Sequence, residues 1–131
     1  MKRSLMKDGR MLRECIEQYN CYKSGNNRMV VSTCLRDSRV FVHCKAGRAD
    51  DTKFLARDGQ RFLLAFSNEA QAGDRAAALA LEEKEFLEVI REARFARADG
   101  ILVDPYTVSF LVEPTDFDMI SRMITRITSE D

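Results

Sequence analysis

The chain has 131 residues with 21 basic and 21 acidic side chains, a formal net charge of zero, which gives it no bulk charge to draw it to nucleic acid or to an anionic membrane. That length is enough to bury about two-thirds of the unfolded surface around one core without disulfide or metal staples. No uninterrupted apolar run reaches membrane-spanning length, the start from Met1 to Arg10 is charged throughout, and Cys15, Cys21, Cys34 and Cys44 lack paired metal-type spacing, so the expectation is one reduced, cytoplasmic domain over residues 1–131.

In chain order, residues 10–23 read as a helix, because Leu12, Cys15, Ile16, Tyr19 and Tyr22 recur at three- and four-residue intervals before the stop Ser24-Gly25-Asn26-Asn27. Met29–Leu35 and Arg39–Lys45 read as two β-rich runs, with Arg36-Asp37-Ser38 as a hairpin turn between them. After a polar loop over residues 46–51, Lys53–Arg57 and Gln60–Phe66 flank Asp58-Gly59, a strong type I′ hairpin signal because both residues tolerate positive φ. Ser67-Asn68 offers an N-cap for a short helix or turn through Gly73, followed by an Ala-rich stretch that carries no assignment.

Leu81–Ala96 reads as the best helix, with Phe86, Val89, Ile90 and Ala93 as its apolar stripe and Asp99-Gly100 as its end. Ile101–Val103 and Thr107–Val112 read as strands joined by the turn Asp104-Pro105-Tyr106. Thr115, with Asp118 three residues on, is expected to cap a last helix carrying Phe117, Ile120, Met123, Ile124 and Ile127. The sum is an α+β domain with a mostly antiparallel sheet of about five to six strands and about three main helices.

Three blocks then resemble the N-terminal domain of the SseB family, the enhanced serine sensitivity proteins. They are residues 61–70, a strand ending in Phe66-Ser67 that runs into a short helix; residues 85–90, an amphipathic helix; and residues 99–105, a Gly-apolar-apolar-apolar-Asp-Pro hairpin. The similarity is clearest over residues 60–123, and the order and spacing of the blocks carry it. The resemblance implies an α+β domain without an established activity, so it brings no catalytic residues. Phe66, Asp104 and Pro105, shared with the family, read first as structural: one closes a strand, and the other two set a turn.

Arg39–Arg48 contains His43-Cys44 and then Gly47, the first half of a His-Cys-x-x-Gly-x-x-Arg phosphate loop. Where that loop needs an Arg to clamp phosphoryl oxygens, this chain has Asp50, followed by Asp51, and like charge repels a dianion. A metal set from Cys34, His43 and Cys44 is disfavoured because neighbours on a strand point to opposite faces. The acid pairs Asp50-Asp51, Glu82-Glu83 and Asp116/Asp118 read as solvated surface and helix starts.

Residues 1–81 carry 15 basic and 9 acidic side chains and residues 82–131 carry 6 and 12, an asymmetry read as charge interspersed over one folded surface. Arg28, Arg36, Arg39, Lys45, Arg48, Lys53 and Arg57, with Phe41 and Phe54 between them, form a candidate face for single-stranded nucleic acid, set against a near-neutral isoelectric point. The expectation is therefore a non-enzymatic protein-interaction module without metal or cofactor. Its surface would centre on Asp104, Pro105 and Tyr106, and its partner would be a protein or a second copy. Cysteine-dependent phosphate chemistry at Cys44 and nucleic-acid binding are the alternatives.

Overall fold

The structure, a computed structural model, describes residues 9–43, 54–73 and 81–122. Helix α1, Arg10–Cys21, turns Leu12 and Ile16 inward one helical turn apart, as its periodicity predicts. Residues 29–35, expected as a strand, belong instead to helix α2, Gly25–Arg36. Two things override the β propensity of Met29-Val30-Val31. The Ser24 side chain caps the helix by accepting from the Asn27 N–H at 3.1 Å, and Val31, Cys34 and Leu35 then fall on one buried face. Residues 36–38 accordingly close a helix and are not a hairpin turn: the Ser38 N–H donates to the Leu35 carbonyl at 3.0 Å.

Strand β1, Arg39–His43, pairs antiparallel with β4, Leu81–Glu85, so the expected helix over residues 81–96 divides at Glu85 into β4 and helix α3, Phe86–Phe95. The break is a capping box: the Glu85 N–H donates to Glu88 Oε1 at 3.2 Å while the Glu85 side chain accepts at the third helical residue. Strands β2, Phe54–Arg57, and β3, Gln60–Ala65, form the expected hairpin, with φ of 53° at Asp58 and 79° at Gly59. These values satisfy the type I′ requirement.

A four-stranded sheet runs in the order β2-β3-β5-β6, with β5 at Gly100–Val103 and β6 at Phe110–Val112; its pairings are antiparallel except for β3 with β5, which are parallel. Phe41 and Phe66 exchange two backbone hydrogen bonds at 2.7 and 2.8 Å and couple this sheet to the β1/β4 pair. The last strand is shorter than expected, because residues 107–109 stay in the loop.

Helix α4, Pro114–Arg122, starts one residue before the expected cap at Thr115. Pro114 takes the first helical position, where its missing N–H costs nothing, and Asp116 Oδ2 reaches back to accept from the Glu113 N–H at 2.9 Å. The described residues thus hold four α-helices and six strands, an α+β fold with mostly antiparallel pairing. None of the helices is long and apolar enough to cross a membrane. Cys44, the polar loop over residues 46–51, the Ala-rich stretch after Asp74, and Met123, Ile124 and Ile127 lie outside the described residues.

Strand alternation divides the apolar residues. Leu63 and Ala65 of β3 and Ile101 and Val103 of β5 face a main core that all four helices enter, including Leu35, Phe86, Val89 and Ile120. Leu64, Phe66 and Leu102 face the other side in a smaller cluster. Arg28 fastens the helix layer to the sheet edge. Its guanidinium donates to the Leu111 carbonyl at 3.0 Å and to Asp116 at 2.5 Å, and it lies 4.7 Å from the centre of the Phe110 ring.

Candidate functional site

Because β3 and β5 run parallel, both strands end at the same edge of the sheet, and the loops that leave them meet there. From β3 come Phe66, Ser67 and a 3₁₀ turn, Glu69–Ala72, whose N-cap is the expected Asn68, accepting from the Gln71 N–H at 3.3 Å. From β5 comes the loop 104–109.

Asp104 extends the β5 ladder through its N–H to the Ala65 carbonyl at 2.8 Å and then reverses the chain at φ 49°. Its own carbonyl accepts from the Thr107 and Ser109 N–H groups at 3.1 and 2.9 Å. Asp tolerates this left-handed geometry better than most residues, which accounts for an acid at this point of the hairpin.

The carboxylate does a second job. Oδ1 accepts from the Ser67 N–H and Oδ2 from the Ser67 hydroxyl, each at 2.7 Å, with both residues 0% exposed. Arg13 of α1 donates to the same hydroxyl at 2.8 Å. Burial pushes the Asp104 carboxyl above its ordinary range, against the Ser67 hydrogen bonds and the Arg13 charge, which pull it down. Gly9, at φ 76°, lies so close over Ser67 that a Cβ there would stand 2.4 Å from the Ser67 Cβ. Only glycine fits both the backbone and the gap.

An aromatic run lies beside this polar lock. Buried Phe66 takes His43 edge-on at 5.4 Å between ring centres and Tyr106 stacked at 6.0 Å, and Tyr106 remains 43% exposed. The Thr107 hydroxyl donates to Gln71 Oε1 at 2.7 Å and ties the two loops together.

The expected surface of Asp104, Pro105 and Tyr106 is therefore divided by depth. Asp104 is sealed inside as the fastener, Pro105 is half-buried, and Tyr106 alone of the three is open to solvent. A serine beside a carboxylate invites a nucleophilic reading, but a hydroxyl with no exposed surface, donating to Asp104 and accepting from Arg13, has no route to a substrate.

Of the disfavoured metal set, Cys34 is on helix α2 and not on a strand, while Cys44 lies outside the described residues. Cys34 is beside the Cys15 thiol, and burial pushes it up to about 12, which keeps it a packed thiol and not a thiolate. Of the basic face, Arg28 is tied into the helix layer and Arg39 pairs across strands with Glu83 and Glu85, both at 3.4 Å; Phe41 and Phe54 pack against the two apolar clusters.

The sequence reading missed Ser67, Arg13 and Gly9 as parts of this site. Ser67 reads locally as a capping residue, and nothing in local sequence links positions 9, 13, 67 and 104.

The arrangement of a Phe-Ser strand end, an Asp-Pro hairpin and the helices between them is matched by a family model, that of the SseB protein N-terminal domain, over residues 12–117, well over half the chain. The chain belongs to that family. The SseB match takes in α1 and α2, beyond the stretch where the resemblance was clearest. A search of curated proteins and a search of solved structures each found no match.

Proposed function

We propose that this SseB N-terminal domain is a non-enzymatic protein-interaction module working in the cytoplasm, and that a protein partner or a second copy docks beside Tyr106. The observation that carries the reading is the pairing of an exposed aromatic ring with a rigid base. Tyr106 stacks on buried Phe66, and its loop is fixed from below by the Asp104 to Ser67 hydrogen bonds. A side chain already held in place loses little entropy on docking, and tyrosine is among the residues that most often dominate interface energy.

The non-catalytic part of the proposal is supported by the same lock. The hydroxyl and carboxylate best suited to chemistry here are internal and point at one another. The free thiols of Cys15, Cys21 and Cys34 suit a reducing compartment. Tyr106→Ala is the test. The wild-type chain is expected to sediment as a dimer or to retain one specific protein through purification, and the variant to lose that association while keeping its unfolding midpoint. A wild-type chain that is strictly monomeric and retains no partner overturns the proposal.

A further inference from the structure

Helices α1 and α2 fold back on each other across the short link Tyr22-Lys23-Ser24, and each brings a cysteine to the seam between them. Cys15 stands six residues before α1 ends at Cys21, and Cys34 nine residues after α2 begins at Gly25. At 1.5 Å per residue the two lie roughly 9 and 14 Å from the turn along their helix axes, close to level in a folded-back pair. The thiols are free and in side-chain hydrogen-bond contact, and Cys15 packs against the core cluster that contains Cys34. Their access differs: Cys34 is 6% exposed, whereas Cys15 is half-buried. Cys21, six positions on from Cys15, falls on a different face of α1.

We propose that Cys15 and Cys34 form a reversible dithiol–disulfide switch, in which Cys15 is the sulfur that meets an oxidant and Cys34 the sulfur that resolves it. A hydroperoxide supplies the oxidising equivalents. The Cys15 sulfur attacks one peroxide oxygen and the O–O bond breaks, giving Cys15 sulfenic acid and releasing an alcohol or water. The Cys34 sulfur then attacks the sulfenic sulfur, so that the S–S bond forms as the S–O bond breaks, and the Cys34 proton leaves with the hydroxyl as water. The two thiols have lost two electrons and the peroxide has gained them. Two equivalents of a small thiol reverse the reaction by exchange.

Burial raises both thiols, so little thiolate exists at neutral pH; the first step is slow there and quickens as pH rises. The crosslink ties α2 to the helix whose Arg13 holds Ser67. It closes the chain from Cys15 to Cys34 into a loop, which removes conformations from the unfolded state and stabilises the oxidised form. The switch stands apart from docking at Tyr106 and is tested without a partner.

The test is to treat the full chain carrying Cys21→Ser with hydrogen peroxide and map its peptides without reductant; the substitution is needed because one tryptic peptide, residues 14–23, holds both Cys15 and Cys21. The expected product joins residues 14–23 to residues 29–36, forms faster at pH 9 than at pH 7, and is lost with dithiothreitol. Oxidation should raise Tm by roughly 10 °C, and the rise should be absent when Cys15→Ala is added. The peptide map decides the matter even if that double variant folds poorly. No crosslink, a crosslink from Cys15 to Cys44 in place of Cys34, Cys15 carried to sulfinic acid beside an untouched Cys34, or a crosslinked chain with a lower Tm each refutes the switch.

Discussion

Removing the Asp104 side chain separates its two tasks, holding a left-handed turn and anchoring Ser67. Asp104→Ala leaves the Ser67 N–H and hydroxyl buried without their acceptor, at about 1–3 kcal/mol for each orphaned group. It also sets a Cβ-bearing residue with no compensating local hydrogen bond at φ 49°, at about 1–2 kcal/mol. Against this, losing a buried charge returns part of the desolvation that holds the carboxyl above its ordinary range. The losses outweigh the gain, and we expect a net destabilisation of about 3 kcal/mol.

Asp104→Asn keeps the tolerance for positive φ and one oxygen acceptor, so it should cost only about 1 kcal/mol. In urea unfolding the Ala variant should shift the midpoint by about 1.5 M and the Asn variant by about a third of that. Equal shifts for the two, or an Ala variant within experimental error of wild type, would show that the hydrogen-bonded lock does not hold the loop.

Three further outcomes follow from the same contacts. The Asp104 carboxyl binds its proton more tightly folded than unfolded, so its contribution to stability is greatest at low pH and is lost as pH rises through the folded value. The stability difference between wild type and Asp104→Asn should therefore grow on acidification from pH 7, and a flat or falling difference refutes the assignment.

Gly9→Ala combines positive φ with overlap against Ser67, and should cost about 2–3 kcal/mol by thermal or urea unfolding; a neutral effect would mean that α1 does not sit on Ser67. Arg28→Met keeps the aliphatic stem but takes the cationic partner from Asp116, which retains only the Glu113 N–H, and the side-chain donor from the Leu111 carbonyl, a loss of about 2 kcal/mol. A double-mutant cycle with Asp116→Asn should return a coupling of about 1 kcal/mol, and additivity would contradict the role given to the pair.

Where the amino-acid order carried local rules, the fold was legible. The α1 stripe, the Asp58-Gly59 hairpin, the Asn68 cap and the Asp104-Pro105 turn each depend on neighbours within a few positions. The errors came where tertiary pairing decided. Residues 81–85 read as helix because the stripe of Phe86, Val89, Ile90 and Ala93 with its charged opposite face extends back to Leu81, yet β1 supplies a strand partner about forty positions away. The Glu85-x-x-Glu88 capping box, which marks the true helix start, was present but was covered by the longer apolar pattern.

Similarly, Ser24 and the spacing of Val31, Cys34 and Leu35 were helix signals, outvoted by three consecutive β-favouring residues. For the candidate site, the turn and its exposed tyrosine were readable. The Ser67, Arg13 and Gly9 contacts to it were not, because they exist only once α1 has folded over the ends of β3 and β5.

The central claim, that a protein partner meets this domain at Tyr106, is tested most directly by placing a photo-crosslinking amino acid at position 106 and, separately, at position 57 on the far hairpin, then irradiating in cells. A discrete adduct, whether a second copy or one other protein, is expected from position 106 and none from position 57. No adduct at 106, or the same adducts from both positions, would contradict the account.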